Sequence, residues 1–204
     1  MGFKETILDE ALLIFERKGI AAITTQALLE ALDISRGTLH EIAGSRKDLV
    51  QRCIAHSLRA RRAAADQIVA EAEGPLEGVL QLLHLCGEEM YSLSPAFVRD
   101  LQAEHPFSWA RLQAFLRLLE REYLVPLLAQ CAEEGYLRPG FPPRVTGRLL
   151  LHQLQALLPP KLFHPLKYTY PELFTLMIVC YLRGAATPRG LAHLEAFSCK
   201  PLPV

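Results

Sequence analysis

The chain has 204 residues, enough to bury a substantial core without the disulfide or metal cross-links that very small domains need. Half of the residues are apolar and 22% are charged, with 22 basic and 22 acidic side chains. This composition excludes an intrinsically disordered chain and a uniformly basic nucleic-acid-binding surface.

Apolar residues at helical spacing predict three helices in the first part of the chain. The first runs from about Phe3 to Lys18 and stops at Gly19, a favourable residue just after a helix. Thr24 is placed to cap a short second helix, and Ser35 to cap a third that runs to about Ile42. Two short helices joined by the three-residue turn 33–35 predict a helix-turn-helix.

The remaining chain also predicts helices, separated by glycine and proline residues. We expect them over about 45–72, 76–92, 95–105, 109–135, 144–158 and 171–186, with a last short helix after Pro188. No segment shows the two-residue alternation of a strand. The predicted fold is all-α, with a three-helix helix-turn-helix domain over 1–50 and a helical bundle over 51–204 that dimerises.

Two features of the sequence bear on location and cofactors. The longest strongly apolar run, residues 173–182, is shorter than the ~20 residues of a membrane span, and no signal-peptide core precedes the first helix. We therefore expect a cytoplasmic protein with no membrane partner.

The five cysteines lie apart, without CxxC or CxxH pairs, which argues against a disulfide framework or a zinc site; they are Cys53, Cys86, Cys131, Cys180 and Cys199. No metal or cofactor is expected.

Charge and capping together predict DNA binding. Residues 36–62 carry seven basic and two acidic residues, a net charge of +5. A helix-turn-helix places the start of its second helix in the major groove, while neighbouring helix starts contact phosphates. We expect base contacts from Gln26, Arg36, Thr38 and His40, whose donors suit guanine and adenine edges. The full predicted set is Thr24, Thr25, Gln26, Ser35, Arg36, Gly37, Thr38, His40, Arg46 and Lys47.

Residues 4–50 resemble the DNA-binding domain of TetR-type transcriptional regulators. The family's characteristic run around the third helix is matched by Gly37, Thr38, Leu39, Ser45 and Leu49, with Arg46 in place of a lysine. Four positions depart from it: His40 replaces a tyrosine, Glu41 adds an acidic group, and Ile42-Ala43 replaces an aromatic pair. These departures affect the expected strength of DNA binding rather than the fold.

The resemblance implies that the helices after residue 75 enclose a pocket for a small apolar or aromatic effector. Aromatic, histidine and apolar side chains there are the candidate lining, with a few polar groups to orient the ligand. The predicted lining is His84, Met90, Phe97, His105, Trp109, Gln113, Leu116 and His152. The alternative is that these side chains fill an ordinary core.

The helix around residues 173–182 is apolar on every side, so both of its faces must be buried. In a chain of this size we expect the second face to belong to a second copy. The preceding helix is similarly leucine-rich, and two such pairs related by a twofold axis form a four-helix interface, as the resemblance also implies. The predicted interface is Leu150, Leu154, Leu158, Phe174, Met177, Ile178 and Tyr181.

These patterns favour a ligand-responsive, dimeric DNA-binding regulator, a repressor released from a palindromic double-stranded operator by a small apolar effector. The alternative is a helical interaction protein with a degenerate DNA-binding motif, suggested by His40, Glu41 and Ala43. A third possibility is a small all-helical enzyme that uses a cysteine and a histidine. The single candidate, His84-x-Cys86, places the two on different helix faces, so no catalytic residue is predicted.

Overall fold

Twelve helical segments make up the described part of the chain, which in this computed structural model comprises residues 2–158, 163 and 167–199, with residues 198 and 199 described by their backbone alone. They are α1 Phe3–Lys18, α2 Thr25–Leu32, α3 Arg36–Ile42, α4 Arg46–Glu71, α5 Pro75–Ser92, α6 Pro95–Glu104, α7 Pro106–Leu119, α8 Val125–Glu133, α9 Pro143–Gln155, α10 Tyr170–Phe174, α11 Cys180–Ala185 and α12 Pro188–Cys199. The described residues contain an isolated β-bridge, Leu137 to Ala186, but no strand. The predicted all-α fold with an amino-terminal helix-turn-helix is confirmed.

The helix starts near the amino terminus are those that the capping residues predict. The Thr24 hydroxyl accepts a hydrogen bond from Ala27 N at 3.1 Å, and the Ser35 hydroxyl accepts one from Thr38 N at 3.0 Å. The Ser45 hydroxyl accepts one from Asp48 N at 3.1 Å. Each contact satisfies an amide that a helix start leaves without an intrahelical partner.

Two π-helical turns interrupt the long carboxy-terminal helices, a feature that the sequence pattern does not predict. The turn Glu120–Leu124 joins α7 to α8, and the turn Thr175–Val179 joins α10 to α11. A π-turn inserts one extra residue into the helical repeat and thereby rotates the side chains that follow it. After each π-turn, the residues that face the core are therefore not those that a regular repeat of 3.6 residues per turn predicts.

The chain divides into two compact units, each with segments from separate parts of the sequence. Unit 1 comprises Met1–Ala64 and Ser92–Phe115, and unit 2 comprises Ala65–Tyr91 and the described residues from Leu116 onward. The helices α4 and α7 each have residues in both units. The functional boundary expected at residue 50 stays a prediction.

Within unit 1, α6 packs against the end of α1. The Asp100 side chain is buried, and its carboxylate accepts a hydrogen bond from Ala21 N at 2.8 Å. Gly19, at φ +91°, permits this approach, because a Cβ there would lie 2.8 Å from Ala96 Cβ. The end of α1 and the loop that leads into α2 are thus held by a segment that lies some 80 residues later in the chain.

Unit 2 is built around leucine side chains and an aromatic cluster. The rings of Tyr170 and Phe174 each lie 5.2 Å from that of His84, centroid to centroid, and Tyr170 Oη donates to His84 O at 2.6 Å. Burial lowers the pKa of His84, while Glu88 acts in the opposite direction. This largely apolar setting favours the neutral imidazole.

The described thiols differ in environment. Cys53, Cys86 and Cys131 are buried, and Cys180 is exposed. Burial raises the pKa of the Cys53 and Cys131 thiols to about 12, so these two side chains stay protonated. The Cys199 side chain lies outside the described residues.

Among the described helices, none has both the length and the apolar character that a membrane crossing requires.

Candidate nucleic-acid interface

The helix-turn-helix is formed by α2, α3 and the turn between them. Asp33 adopts a left-handed conformation (φ 49°), and Ile34 N donates to Leu29 O at 3.1 Å, which closes the end of α2. Leu28 and Ile42 are buried and anchor the two helices on the core of unit 1. The first turn of α3 is left on the surface.

The residues predicted to read bases are presented to solvent along α3. Arg36, Gly37 and His40 are exposed, and Arg36 and His40 lie four positions apart on one helix face. Thr38 is half-buried, with its hydroxyl 2.9 Å from that of Ser35. The structure therefore brings Arg36 and His40 together on one accessible face and ties Thr38 to the cap.

The start of α2 offers a second group of exposed side chains. Thr24, Thr25 and Gln26 are all exposed. The Thr24 hydroxyl is already bound to Ala27 N, and Gln26 Nε2 donates to Glu30 Oε1 at 2.9 Å. A base contact from Gln26 would thus have to replace a hydrogen bond within α2.

Arg46 occupies a different setting from the one predicted for a phosphate ligand. Its Nη2 donates to the carbonyl oxygens of Ile20 and Ile23, and its guanidinium carbon lies 5.6 Å from the centre of the Phe15 ring. Burial lowers its pKa, with Glu104 acting in the opposite direction. The side chain connects the start of α4 to the loop between α1 and α2. A phosphate contact from Arg46 stays a prediction, whereas Lys47, the next residue, is exposed.

The basic stretch is partly neutralised by neighbouring carboxylates. Arg52 Nε lies 3.0 Å from both oxygens of Asp48, and this pairing, with a hydrogen bond from Gly44 N, lowers the pKa of Asp48. Arg61 lies 3.5 Å from Glu16. Arg36 and Lys47 are therefore the cations of this stretch best placed to meet an anionic partner at the helix-turn-helix.

A concave space opens between α2, α3 and the start of α4, which we call the helix-turn-helix cleft. It has a volume of about 310 Å³. Its apolar lining is Leu28, Leu39, Ala43 and Leu49, and its polar lining includes Thr25, Arg36, His40 and Ser45. The sequence does not predict this cleft. It is bordered by four of the residues predicted to bind DNA, namely Thr25, Arg36, His40 and Arg46.

The residues predicted to line an effector pocket are divided between the two units. In unit 1, Phe97 and His105 are buried, while Trp109 and Gln113 are half-buried. In unit 2, His84, Met90 and Leu116 are buried, while His152 is exposed on α9. The pocket stays a prediction, and the exposure of His152 argues against a place for it in an enclosed cavity.

The predicted dimer interface stays a prediction, and its residues differ in burial within the single chain. Most of them are buried inside unit 2 of the single chain, namely Leu150, Leu154, Leu158, Phe174 and Ile178, while Met177 and Tyr181 are half-buried. A fully buried side chain offers little surface to a second copy, so the exposed apolar side chains of the same helices are better placed for an interface. The large apolar side chains left outside on these helices are Val145 and Leu149 on α9 and Leu176 in the second π-turn, exposed by 56%, 45% and 67%. The sequence pattern could not distinguish the two faces of helices that are apolar all round.

A comparison with protein families gives a match over the segment that contains the helix-turn-helix. Residues 7–53 match the sequence model of the family described as bacterial regulatory proteins, tetR family. No curated protein matches the chain.

Solved structures share the fold over most of the chain. A TetR-family regulator from Agrobacterium tumefaciens has a TM-score of 0.70 at 13% identity, covering 90% of this chain and all of that one. The TetR-family regulator PfmR from Thermus thermophilus has a TM-score of 0.61 at 22% identity, covering 87% of this chain and 94% of that one. The ketosteroid transcriptional regulator KstR2 of Mycobacterium tuberculosis has a TM-score of 0.63 at 18% identity, and the match covers 91% of this chain and 96% of that one. At these identities the likeness shows the fold.

Proposed function

We propose that this chain is a TetR-type transcriptional regulator rather than an enzyme, and that it acts as a dimeric repressor that a small apolar effector releases from a palindromic operator. The match of residues 7–53 to the tetR family model supports this proposal. The observation that carries the proposal is the exposed face of α3, where Arg36 and His40 lie between the starts of α2 and α4. A helix placed in this way enters the major groove, with its first residues at the base edges.

Within this proposal the exposed residues divide into two roles. Arg36 reaches base edges, where a guanidinium pairs best with guanine. Thr25 and Lys47, at the starts of α2 and α4, contact phosphates and set the orientation of α3. His40 contacts a phosphate or base as a donor.

The exposed apolar residues on α9 and the second π-turn support the proposed dimerisation. Val145, Leu149 and Leu176 are large apolar side chains left in water by the single chain, and their burial against a second copy is favourable. A twofold axis through this surface gives two recognition helices, which bind half-sites separated by one helical turn, ~34 Å.

The effector response is proposed to pass through α4. This helix is continuous from Arg46, beside the helix-turn-helix, to Glu71 in unit 2. A ligand that binds better to one tilt of α4 shifts the population towards dimers whose recognition helices no longer match the half-site spacing. The size of the response is limited by the difference in the ligand's affinity for the two states.

The experiment that tests the proposal measures binding of the full chain to DNA from upstream of its own gene, by fluorescence anisotropy over a series of salt concentrations. We expect saturable binding that is far tighter than binding to scrambled DNA of the same composition. Equal binding to both DNAs at every salt concentration would reject specific operator recognition and favour the interaction-protein alternative.

Replacing Lys47 by Ala is expected to weaken binding to all DNA sequences alike. One lost phosphate contact should reduce the slope of log affinity against log salt concentration by about one unit. The matched control is Lys18→Ala, at an exposed position at the end of α1 outside the predicted interface. An unchanged slope in the Lys47 variant would remove that residue from the phosphate contacts.

Replacing Arg36 by Ala is expected to relax sequence preference instead. Loss of one bidentate base contact costs about 1–3 kcal/mol of discrimination at one operator position and leaves the other positions unaffected. Selection from random DNA, read by sequencing, would show the loss at a single position in each half-site. Unaltered preference in this variant would mean that α3 reads the operator through other side chains.

A further inference from the structure

The helix-turn-helix cleft has a floor and a rim of different chemistry. Its floor is apolar: the half-buried Leu39 contributes most of the accessible surface, and Leu28, Ala43 and Leu49 lie buried around it. Its rim includes the exposed side chains of Arg36 and His40. An apolar surface with a few polar groups at one side is the usual character of a small-molecule site.

The size of the cleft suits a small ligand. Its volume of about 310 Å³ falls at the lower end of the roughly 300–1,000 Å³ that ligand sites occupy. Ala43 contributes only a methyl group to the lining, so a larger side chain at this position would reduce the cleft. A molecule with one or two rings matches this space.

The charge of the lining selects the sign of the ligand. Among the described residues that border the cleft, arginine and histidine occur but aspartate and glutamate do not. The Arg46 guanidinium is engaged by backbone carbonyls, which leaves the exposed Arg36 as the cation open to a ligand. Arginine binds carboxylates through two parallel hydrogen bonds, which makes an organic carboxylate the complementary group.

We propose that the helix-turn-helix cleft binds a small aromatic carboxylate, with its rings against Leu39, above the buried Leu28 and Ala43, and its carboxylate accepting hydrogen bonds from Arg36. This site is separate from the effector pocket proposed for the helical body. Because Arg36 and His40 also belong to the proposed DNA-reading face, the bound carboxylate blocks operator binding directly, without a change of shape. The block of operator binding rests on the proposed function, whereas carboxylate binding in the cleft is independent of it.

The first experiment measures binding of 2-naphthoate to the full chain by isothermal titration calorimetry, with the uncharged 2-naphthamide as the matched probe. We expect saturable naphthoate binding that is weakened about tenfold by Arg36→Gln, as for loss of one charge-assisted hydrogen bond. Naphthamide binding should be the same in both proteins. The control is Arg17→Gln, the same change at an exposed arginine of unit 1 that does not border the cleft. This variant should bind both probes with the wild-type affinity.

A second variant, Ala43→Phe, places a ring in the cleft and should abolish binding of both probes, with folding checked by circular dichroism. If that variant does not fold, the exposed pair Arg36→Gln and Arg17→Gln still decides the question. Absence of saturable naphthoate binding to the wild type, or equal weakening by both arginine variants, overturns the proposal. So does undiminished binding to folded Ala43→Phe, which would place the probe elsewhere in the chain.

The link to DNA is tested separately. Naphthoate should raise the apparent dissociation constant of the operator linearly with its own concentration in the wild type, and about tenfold more naphthoate should be needed for the same relative rise in Arg36→Gln. Naphthoate binding without this competition overturns only the direct block of the operator. An absence of operator binding, with naphthoate binding intact, rejects the proposed function and leaves the site standing.

Discussion

Replacing Leu176 by Glu is expected to convert the protein from a dimer to a monomer. The side chain is 67% exposed in the single chain, so the substitution leaves the protomer fold intact but places a charge where a partner would bury it. An unpaired charge in an apolar interface costs several kcal/mol. Since a dimer gains operator affinity from two linked half-site contacts, affinity should fall by about 100-fold or more.

Sedimentation velocity at micromolar concentration and operator anisotropy measure the two effects. Leu149→Glu, on α9, should behave in the same way, because this leucine is also exposed on the proposed surface. The matched control is Leu13→Glu on α1, another exposed leucine that lies in unit 1. Dimers that persist in both test variants would place the interface elsewhere, and a monomeric wild type would exclude it.

Replacing Arg46 by Met is expected to lower the free energy of unfolding by about 2–4 kcal/mol, because two backbone carbonyls lose a charged donor. Methionine retains an unbranched apolar side chain next to Phe15, so the change tests the hydrogen bonds to Ile20 and Ile23 more than the packing. Urea unfolding followed by circular dichroism gives the measurement. The control is Lys47→Met, at the next position and exposed, which should leave stability within about 0.5 kcal/mol.

The salt dependence of operator binding distinguishes the two roles open to Arg46. If its guanidinium holds the loop between α1 and α2, the folded Met variant keeps the wild-type slope of log affinity against log salt concentration. Should stability be unchanged while the slope falls by about one unit, Arg46 would be a phosphate ligand, as the sequence predicts.

The sequence predicts the helices well because their boundaries depend on local chemistry. Thr24, Ser35 and Ser45 cap helices where their spacing indicates, and Gly19 ends α1. These contacts involve residues within a few positions of each other, so a single chain segment contains the information. The π-turns are not predicted, because helical spacing alone does not show where one extra residue enters the repeat.

The candidate site is predicted less completely, since its geometry depends on contacts between distant residues. Arg46 has the residue type and position of a phosphate ligand, yet the carbonyls that bind it lie 26 and 23 residues earlier. Nothing in the local pattern indicates that partnership. The same limit applies to the interface: Leu150 and Leu149 are adjacent leucines, and only the packing of unit 2 shows that the first is buried and the second exposed.

The contact of α6 with α1 has a consequence for domain transplantation. A fragment that ends at residue 64 would contain the whole helix-turn-helix but lack Asp100, the acceptor for Ala21 N, and Ala96, which covers Gly19. Apolar surface on α1 would be newly exposed, and the loop that leads into α2 would lose its partner. A chimaeric regulator made by joining such a fragment to a foreign body would therefore need the recipient to supply an equivalent of α6, or the donor segment 92–115 to be carried with it.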